Sequence, residues 1–226
     1  MAIARRFAAE GYVVFCGRRN GEKLAPLVAE IEAAGGRCVA RTLDARQEDA
    51  VAEFMRAADA VAPLEVAVFN IGANVSFPLL ETTERVFRKV WELACYAEFL
   101  TGREAARCMV AHGRGSIFFT GATASVRGGK GYTAFASAKF GLRAVAQNMA
   151  RELGPQNIHV AHLVIDAGVD TAWVRARIAV SGAADRLVAD RLMNPTSIAE
   201  AYWQLHRQPR DGWTHELDLR PADETW

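Results

Sequence analysis

Short apolar runs and stretches of helical period alternate along this chain from end to end. Ala2 to Gly11 reads as a short amphipathic helix closed by a glycine cap, and Tyr12-Val13-Val14-Phe15-Cys16 as a strand. Gly21 to Ala34 follows as a helix stopped by Gly35-Gly36, then Arg37 to Leu43 as a strand, Glu48 to Ala60 as a helix and Leu64 to Phe69 as a strand. A long helical pattern runs from Glu81 to about His112. Behind it come the strand Ser116 to Phe119, the helix Tyr132 to Leu153, the strand Ile158 to Ile165, the helix Ser197 to His206 and a last strand, Thr214 to Leu219. Such regular alternation predicts an α/β fold, a doubly wound parallel sheet in three α/β/α layers, because parallel neighbours need a crossover that a helix supplies.

Composition keeps that picture to one domain. The 226 residues, 51% hydrophobic and 23% charged, suffice for a single well-cored unit, and no linker divides 1–226. Lys plus Arg number 27 against 26 Asp plus Glu, a net charge of +1. The signs are interspersed, so no basic stripe follows a nucleic acid, and small molecules are the expected partners. No apolar run reaches the ~18 residues of a membrane span. Cys16, Cys38, Cys95 and Cys108 lack metal-ligand spacing, which predicts reduced thiols, no metal and a cytoplasmic home. The five histidines read as structural, since no nucleophile or ligand set lies near them in sequence.

Candidate chemistry gathers in Gly115-Ser116-Ile117-Phe118-Phe119-Thr120-Gly121-Ala122-Thr123-Ala124-Ser125 and the helix after it. A buried strand ending in Thr-Gly delivers its loop to the carboxyl edge of the sheet, where ligands of open α/β sheets bind. On the helix stand Phe135-Ala136-Ser137-Ala138-Lys139, and Tyr132 shares a face with Phe135 and Lys139. This arrangement resembles the short-chain dehydrogenase/reductase family, in which a serine at the strand end is followed thirteen residues later by Tyr-x-x-x-Lys. Lys139 falls on the family's lysine, Phe135 on its tyrosine and Ala122 on its serine. Counting back from Phe99, which resembles the phenylalanine of Asn-x-x-x-x-Phe, the family's helix-kinking asparagine falls on Ala94.

The resemblance covers nearly the whole chain and implies a Rossmann-like fold with a bound nicotinamide dinucleotide. Gly17 stands where an acid would hold the adenosine ribose hydroxyls. Arg18 and Arg19 come next, which implies NADP rather than NAD, because guanidinium pairs with phosphate. Asp44 resembles the family's adenine-contacting aspartate, and equally suits a cap on the helix beginning near Gln47. Phe69-Asn70-Ile71-Gly72 stands where the family has Asn-Asn-Ala-Gly, so Asn70 and Gly72 are carried over. Asp166-Ala167-Gly168-Val169-Asp170-Thr171 resembles the Pro-Gly-x-x-x-Thr loop, in which a main-chain group, here at Val169, and the threonine, here Thr171, hold the nicotinamide amide. The family opens with a strand and a Thr-Gly-x-x-x-Gly-x-Gly turn for the pyrophosphate, whereas this chain opens inside what resembles the helix after it. The resemblance therefore implies a sheet whose first, central strand is missing or supplied from outside the chain.

Reducing a carbonyl requires an acid for the developing alkoxide, and phenylalanine has no proton to give. Lys139 retains its other family role, a hydrogen bond to the nicotinamide ribose. Tyr132, one turn from where the acid should be, is the candidate to replace it, and Thr123 and Ser125 are candidates for substrate contacts, with no base beside them in sequence. Two readings follow: an NADP(H)-dependent oxidoreductase of altered mechanism on an unidentified substrate, or a catalytically silent relative that binds a nucleotide or a protein. Ala134, Ala138, Gly141 and Val145 form a stripe of small side chains, which with the family resemblance implies a homodimer or homotetramer built on the two long helices.

Overall fold

The computed structural model describes residues 1–181 and 192–223. In chain order it runs α1 (Ala2–Ala9), β1 (Val13–Arg18), α2 (Ala25–Ala33), β2 (Arg37–Thr42), α3 (Glu48–Asp59), β3 (Val66–Phe69), α4 (Glu84–Trp91), α5 (Ala97–His112), β4 (Gly115–Thr120) and α6 (Thr133–Leu153). Then follow β5 (Ile158–Ile165), β6 (Gly168–Val169), α7 (Ala172–Ser181), β7 (Leu192–Met193), α8 (Pro195–His206) and β8 (Glu216–Leu219). The expected α/β architecture is present, with every strand pair parallel.

Among the described residues the sheet is divided: β3, β4, β5 and β8 form one hydrogen-bonded set in that order, and β1 pairs with β2 alone. β1 and β3 are not joined, although both contribute to one apolar cluster through Val14, Val66 and Val68. The division falls between the Tyr12 and Leu64 strands of the sequence pattern, where the resemblance puts the central strand.

Strand alternation sorts the two faces. Ile117 and Phe119 of β4 pack with Leu100, Met109, Leu142 and Ala146 of α5 and α6. Phe118 points the other way, onto Phe7 of α1 and Tyr202 of α8. All eight residues of β5 are buried, as a central parallel strand between two helical layers must be. Each buried Leu, Ile or Phe of this core contributes about 1.5 to 3 kcal/mol relative to exposure.

Element boundaries differ from the sequence pattern in instructive places. The long helix expected from Glu81 to His112 is three pieces, with a π-helical segment, Glu92–Tyr96, between α4 and α5. The helix expected from Gly21 begins as a 3₁₀ turn, Gly21–Leu24, because Pro26 can sit only in the first turn of α2. Two-residue pairing of β6 with β7 and the helix α7 have no counterpart in the pattern.

Two buried histidines of β5, on opposite faces of the sheet, reach β8 and the segment before it. His159 Nε2 lies 2.8 Å from the Thr214 carbonyl, and His162 Nδ1 lies 3.1 Å from Glu216 Oε2. Burial pushes His162 down from 6.5 to about 4, even against the attraction of Glu216. The unfolded chain binds this proton at a higher pH than the folded one, so stability is full above 6.5 and declines as pH falls toward 4. A loss of about 3 kcal/mol by pH 4 is expected from this group. Thermal melts between pH 7.5 and 4 check it, and a melting temperature flat across that range contradicts it.

Candidate active site

β4 ends at Thr120, and the chain leaves it through Gly121, Ala122 and a 3₁₀ turn, Thr123–Ser125. The turn is self-contained: Ala122 N–H donates to Ser125 Oγ at 3.1 Å, and Ser125 N–H to the Ala122 carbonyl at 2.7 Å. Ser125 is fully buried, so its hydroxyl shapes the turn and is no substrate contact. α6 returns beneath this loop and presents Lys139 to the end of β4. Its Nζ donates to the Thr120 carbonyl at 2.7 Å and lies 3.4 Å from Glu98 Oε1 of α5. Both charged groups are buried, Glu98 completely, and Glu98 Oε2 has no partner among the described residues. Burial holds the Glu98 carboxyl well above the ordinary range, although Lys139 pulls it down.

The three positions where the resemblance lacks a polar group converge. Ala94, Phe135 and Ala122 belong to one apolar cluster with Ala73, Val90, Cys95, Ala134 and Ala138, and Tyr132 packs against its edge. Ala94 is the middle residue of the π-helical segment, so the backbone irregularity is present without the asparagine. Tyr132 precedes the first residue of α6, and its hydroxyl makes no hydrogen bond to any described residue. The small-residue stripe serves this same cluster. Ala134 and Ala138 are buried against the chain's own α4 and π segment, and a Cβ on Gly141 would lie 2.8 Å from Cys95 Sγ. These three positions are thus committed within the chain.

Thr123 has a partner that sequence reasoning missed. Its hydroxyl donates to Asp166 Oδ1, the first residue past β5, and Arg127 Nη2 stands 4.0 Å from the same oxygen. Asp166 is 3% exposed. Thr123 and Asp166 lie 43 residues apart, and only the parallel register of β4 with β5, Thr120 opposite Leu163, brings them together.

The remaining carry-over positions sit along the same carboxyl edge. Gly17, Arg18 and Arg19 end β1 exposed, and Asn70 and Gly72 follow β3, also exposed. A Cβ on Gly17 would come within 2.6 Å of Leu43 Cδ2, which leaves little room there for an acid. Asp44 does not cap α3. It accepts from Arg46 N–H at 3.1 Å and pairs with the Arg46 guanidinium at 2.9 and 2.5 Å, so a local turn takes the carboxylate before the helix can use it. Arg46 holds the Asp44 carboxyl below its usual range, and Arg19 adds to this. Past Asp166, Val169 lies in β6, and Asp170 N–H donates to the Met193 carbonyl. Thr171 Oγ1 accepts from Val174 N–H at 3.2 Å, so the threonine hydroxyl opens α7.

The family described as short chain dehydrogenase matches residues 1–179. A solved short-chain dehydrogenase from Rhodopseudomonas palustris is 63% identical, with a TM-score of 0.84, covering 98% of this chain and 92% of its own. A metagenomic short-chain oxidoreductase in complex with NADP is 24% identical, with a TM-score of 0.81 over 99% of this chain and 91% of its own, a likeness of fold. The uncharacterized oxidoreductase YuxG of Bacillus subtilis is 32% identical over 80% of this chain. The chain spans only 28% of the length of YuxG and less than two thirds of two further curated relatives.

Proposed function

The chain belongs to the short-chain dehydrogenase/reductase family, and we propose that it binds NADP(H) and acts as an oxidoreductase on a small molecule, by proton chemistry other than the family's Asn, Ser, Tyr, Lys set. The observation that carries the cofactor reading is the edge of β1 and β2. Gly17 stands against Leu43 where an acid would repel a phosphate, and Arg18 and Arg19 supply exposed guanidinium groups at the end of β1. This donor set fits a 2′-phosphate. Lys139 fits the ribose, since two of its three N–H donors are engaged and one is left. Asn70, Gly72, Val169 and Thr171 complete the edge along which the dinucleotide would lie. When bound, the dinucleotide supplies or takes up a hydride. The chain's own residues orient it and handle the proton.

Titration with NADPH and NADH, followed by nicotinamide fluorescence, tests the reading. NADPH binds more tightly than NADH, and Arg18→Ala with Arg19→Ala weakens NADPH by about tenfold or more while leaving NADH unchanged, because each charged hydrogen bond is worth about 1.5 kcal/mol or more. Equal affinities sink the 2′-phosphate assignment. Binding without turnover on any substrate favours the silent reading instead, which the apolar packing of Ala94, Ala122 and Phe135 supports.

The protein works in the cytoplasm as a homodimer or homotetramer on this reading. Four free thiols are in keeping with that compartment, and no helix among the described residues is long and apolar enough to cross a membrane. Phe87, Trp91, Phe99 and Phe140 of α4, α5 and α6 are each roughly 40% exposed, an apolar surface beside the stripe of small residues. Sedimentation at micromolar concentration is expected to give a dimer or tetramer, and a monomer refutes the interface.

A further inference from the structure

We infer that Thr123 and Asp166 are the proton-handling pair of this site, with a substrate hydroxyl as the group they receive, so that the chain is built to oxidise an alcohol. The inference rests on the cofactor reading above. The family position for a polarising hydroxyl is Ala122, which is apolar, and the next residue carries the hydroxyl instead. Thr123 is partly exposed, and its O–H points at Asp166, a nearly buried carboxylate. The oxygen of Thr123 therefore keeps its lone pairs for a donor arriving from the loop's open side. An alcohol O–H is such a donor, whereas a carbonyl oxygen is not.

Other contacts hold the pair in this sense. Asp166 N–H donates to the Leu219 carbonyl at 2.9 Å, fixing the residue at the end of β5. Arg127, whose backbone N–H donates to the Thr123 carbonyl at 3.1 Å, brings its guanidinium to 4.0 Å from Asp166 Oδ1 and ties the loop to that carboxylate. Both residues sit at the carboxyl edge of a parallel sheet, where the reacting end of a bound nucleotide belongs.

The substrate O–H proton passes to the Thr123 oxygen as the Thr123 proton passes to Asp166. As the carbinol C–H bond breaks and the C–O bond becomes a carbonyl, the oxidant, an oxidised nicotinamide dinucleotide held as proposed above, would take up the hydride. Protonated Asp166 then returns its proton to solvent by the same hydroxyl. Thr123 is the residue in contact with substrate, and Asp166 is the base behind it.

A carboxylate at this edge attracts the cationic ring of NADP⁺ and has no such attraction for the neutral ring of NADPH. The ratio of the two affinities therefore reads the pair without any substrate. Wild type is expected to favour NADP⁺, and Asp166→Asn, which keeps an acceptor for Thr123, loses that bias by about tenfold with NADPH binding unchanged. Both ligands are titrated into wild type, Asp166→Asn and Thr123→Val, with thermal melts to confirm folding. An Asp166→Asn ratio equal to that of wild type overturns the assignment while leaving the cofactor reading intact. A wild type that binds neither dinucleotide removes both. Where a secondary alcohol from a panel is oxidised with NADP⁺, Thr123→Ser retains the activity and Thr123→Val and Asp166→Asn lose about 10² or more. Oxidation undiminished by Asp166→Asn also overturns it. The affinity ratio decides the matter whether or not the panel contains a substrate.

Discussion

Lys139→Met is expected to destabilise the fold by about 3 to 5 kcal/mol, the scale on which removing one member of a buried ion pair acts. Lys139 Nζ lies 3.4 Å from Glu98 Oε1 with both side chains buried, and the second Glu98 oxygen is already without a partner among the described residues. Methionine fills the space of the lysine stem and leaves both the Glu98 carboxyl and the Thr120 carbonyl unpaired. For a chain of this length the loss corresponds to a melting temperature lower by roughly 10 °C. The double variant Lys139→Met with Glu98→Leu should recover most of it, since an apolar pair of similar volume carries no desolvation cost.

The same pair fixes a pH dependence. Burial raises the Glu98 carboxyl above its unfolded value. Its contribution is therefore present below 4.5 and lost as pH rises through the folded value. In Lys139→Met the opposing pull of the ammonium is gone, and the variant's deficit should be larger at pH 8 than at pH 5. Melts of wild type and both variants at the two pH values decide it. A Lys139→Met deficit that is equal at both would show that Glu98 does not titrate in the folded state.

How much of this was legible follows from the range of each interaction. The strand and helix periods come from local patterning, so β5 was read with its observed bounds, whereas Lys139, Phe135 and Ala122 were singled out only through the resemblance to a family motif. The break at Glu92–Tyr96 was not read as a break, because a π-helical turn changes the hydrogen bonding of a helix and not its apolar pattern. Asp44 was read as an adenine contact or a cap, and the local turn that takes its carboxylate from the helix is set by the backbone geometry at Arg46, which no pattern marks. Glu98 was not singled out, because its burial against Lys139 is set by the packing of α5 on α6 and not by any local pattern. The Thr123 to Asp166 bond crosses between two strands, and no local pattern encodes which residues follow paired strand ends.

Phe135→Tyr is expected not to restore carbonyl reduction: NADPH oxidation with ordinary aldehydes, ketones and quinones should stay ~10² to 10³ below the level a complete set of donors supports. The substitution adds a phenol to α6, one turn from Lys139. It does so inside an apolar cluster in which Ala94 is fully buried and Ala122 carries no hydroxyl to share the charge on a developing alkoxide. Groups that act as a unit are strongly non-additive, so one restored member of three recovers little. A new phenol in that cluster also has to find a partner or bear the cost of burial without one. Lys139 is a poor helper for it, because its ammonium is drawn toward the Thr120 carbonyl and Glu98. Saturating NADPH with wild type, Phe135→Tyr and Tyr132→Phe across the panel measures this. A tyrosine variant that gains two orders of magnitude would mean that the site needs only its acid. Robust wild-type turnover that disappears in Tyr132→Phe would identify the phenol at the start of α6 as the acid and end the case for an altered mechanism at Thr123.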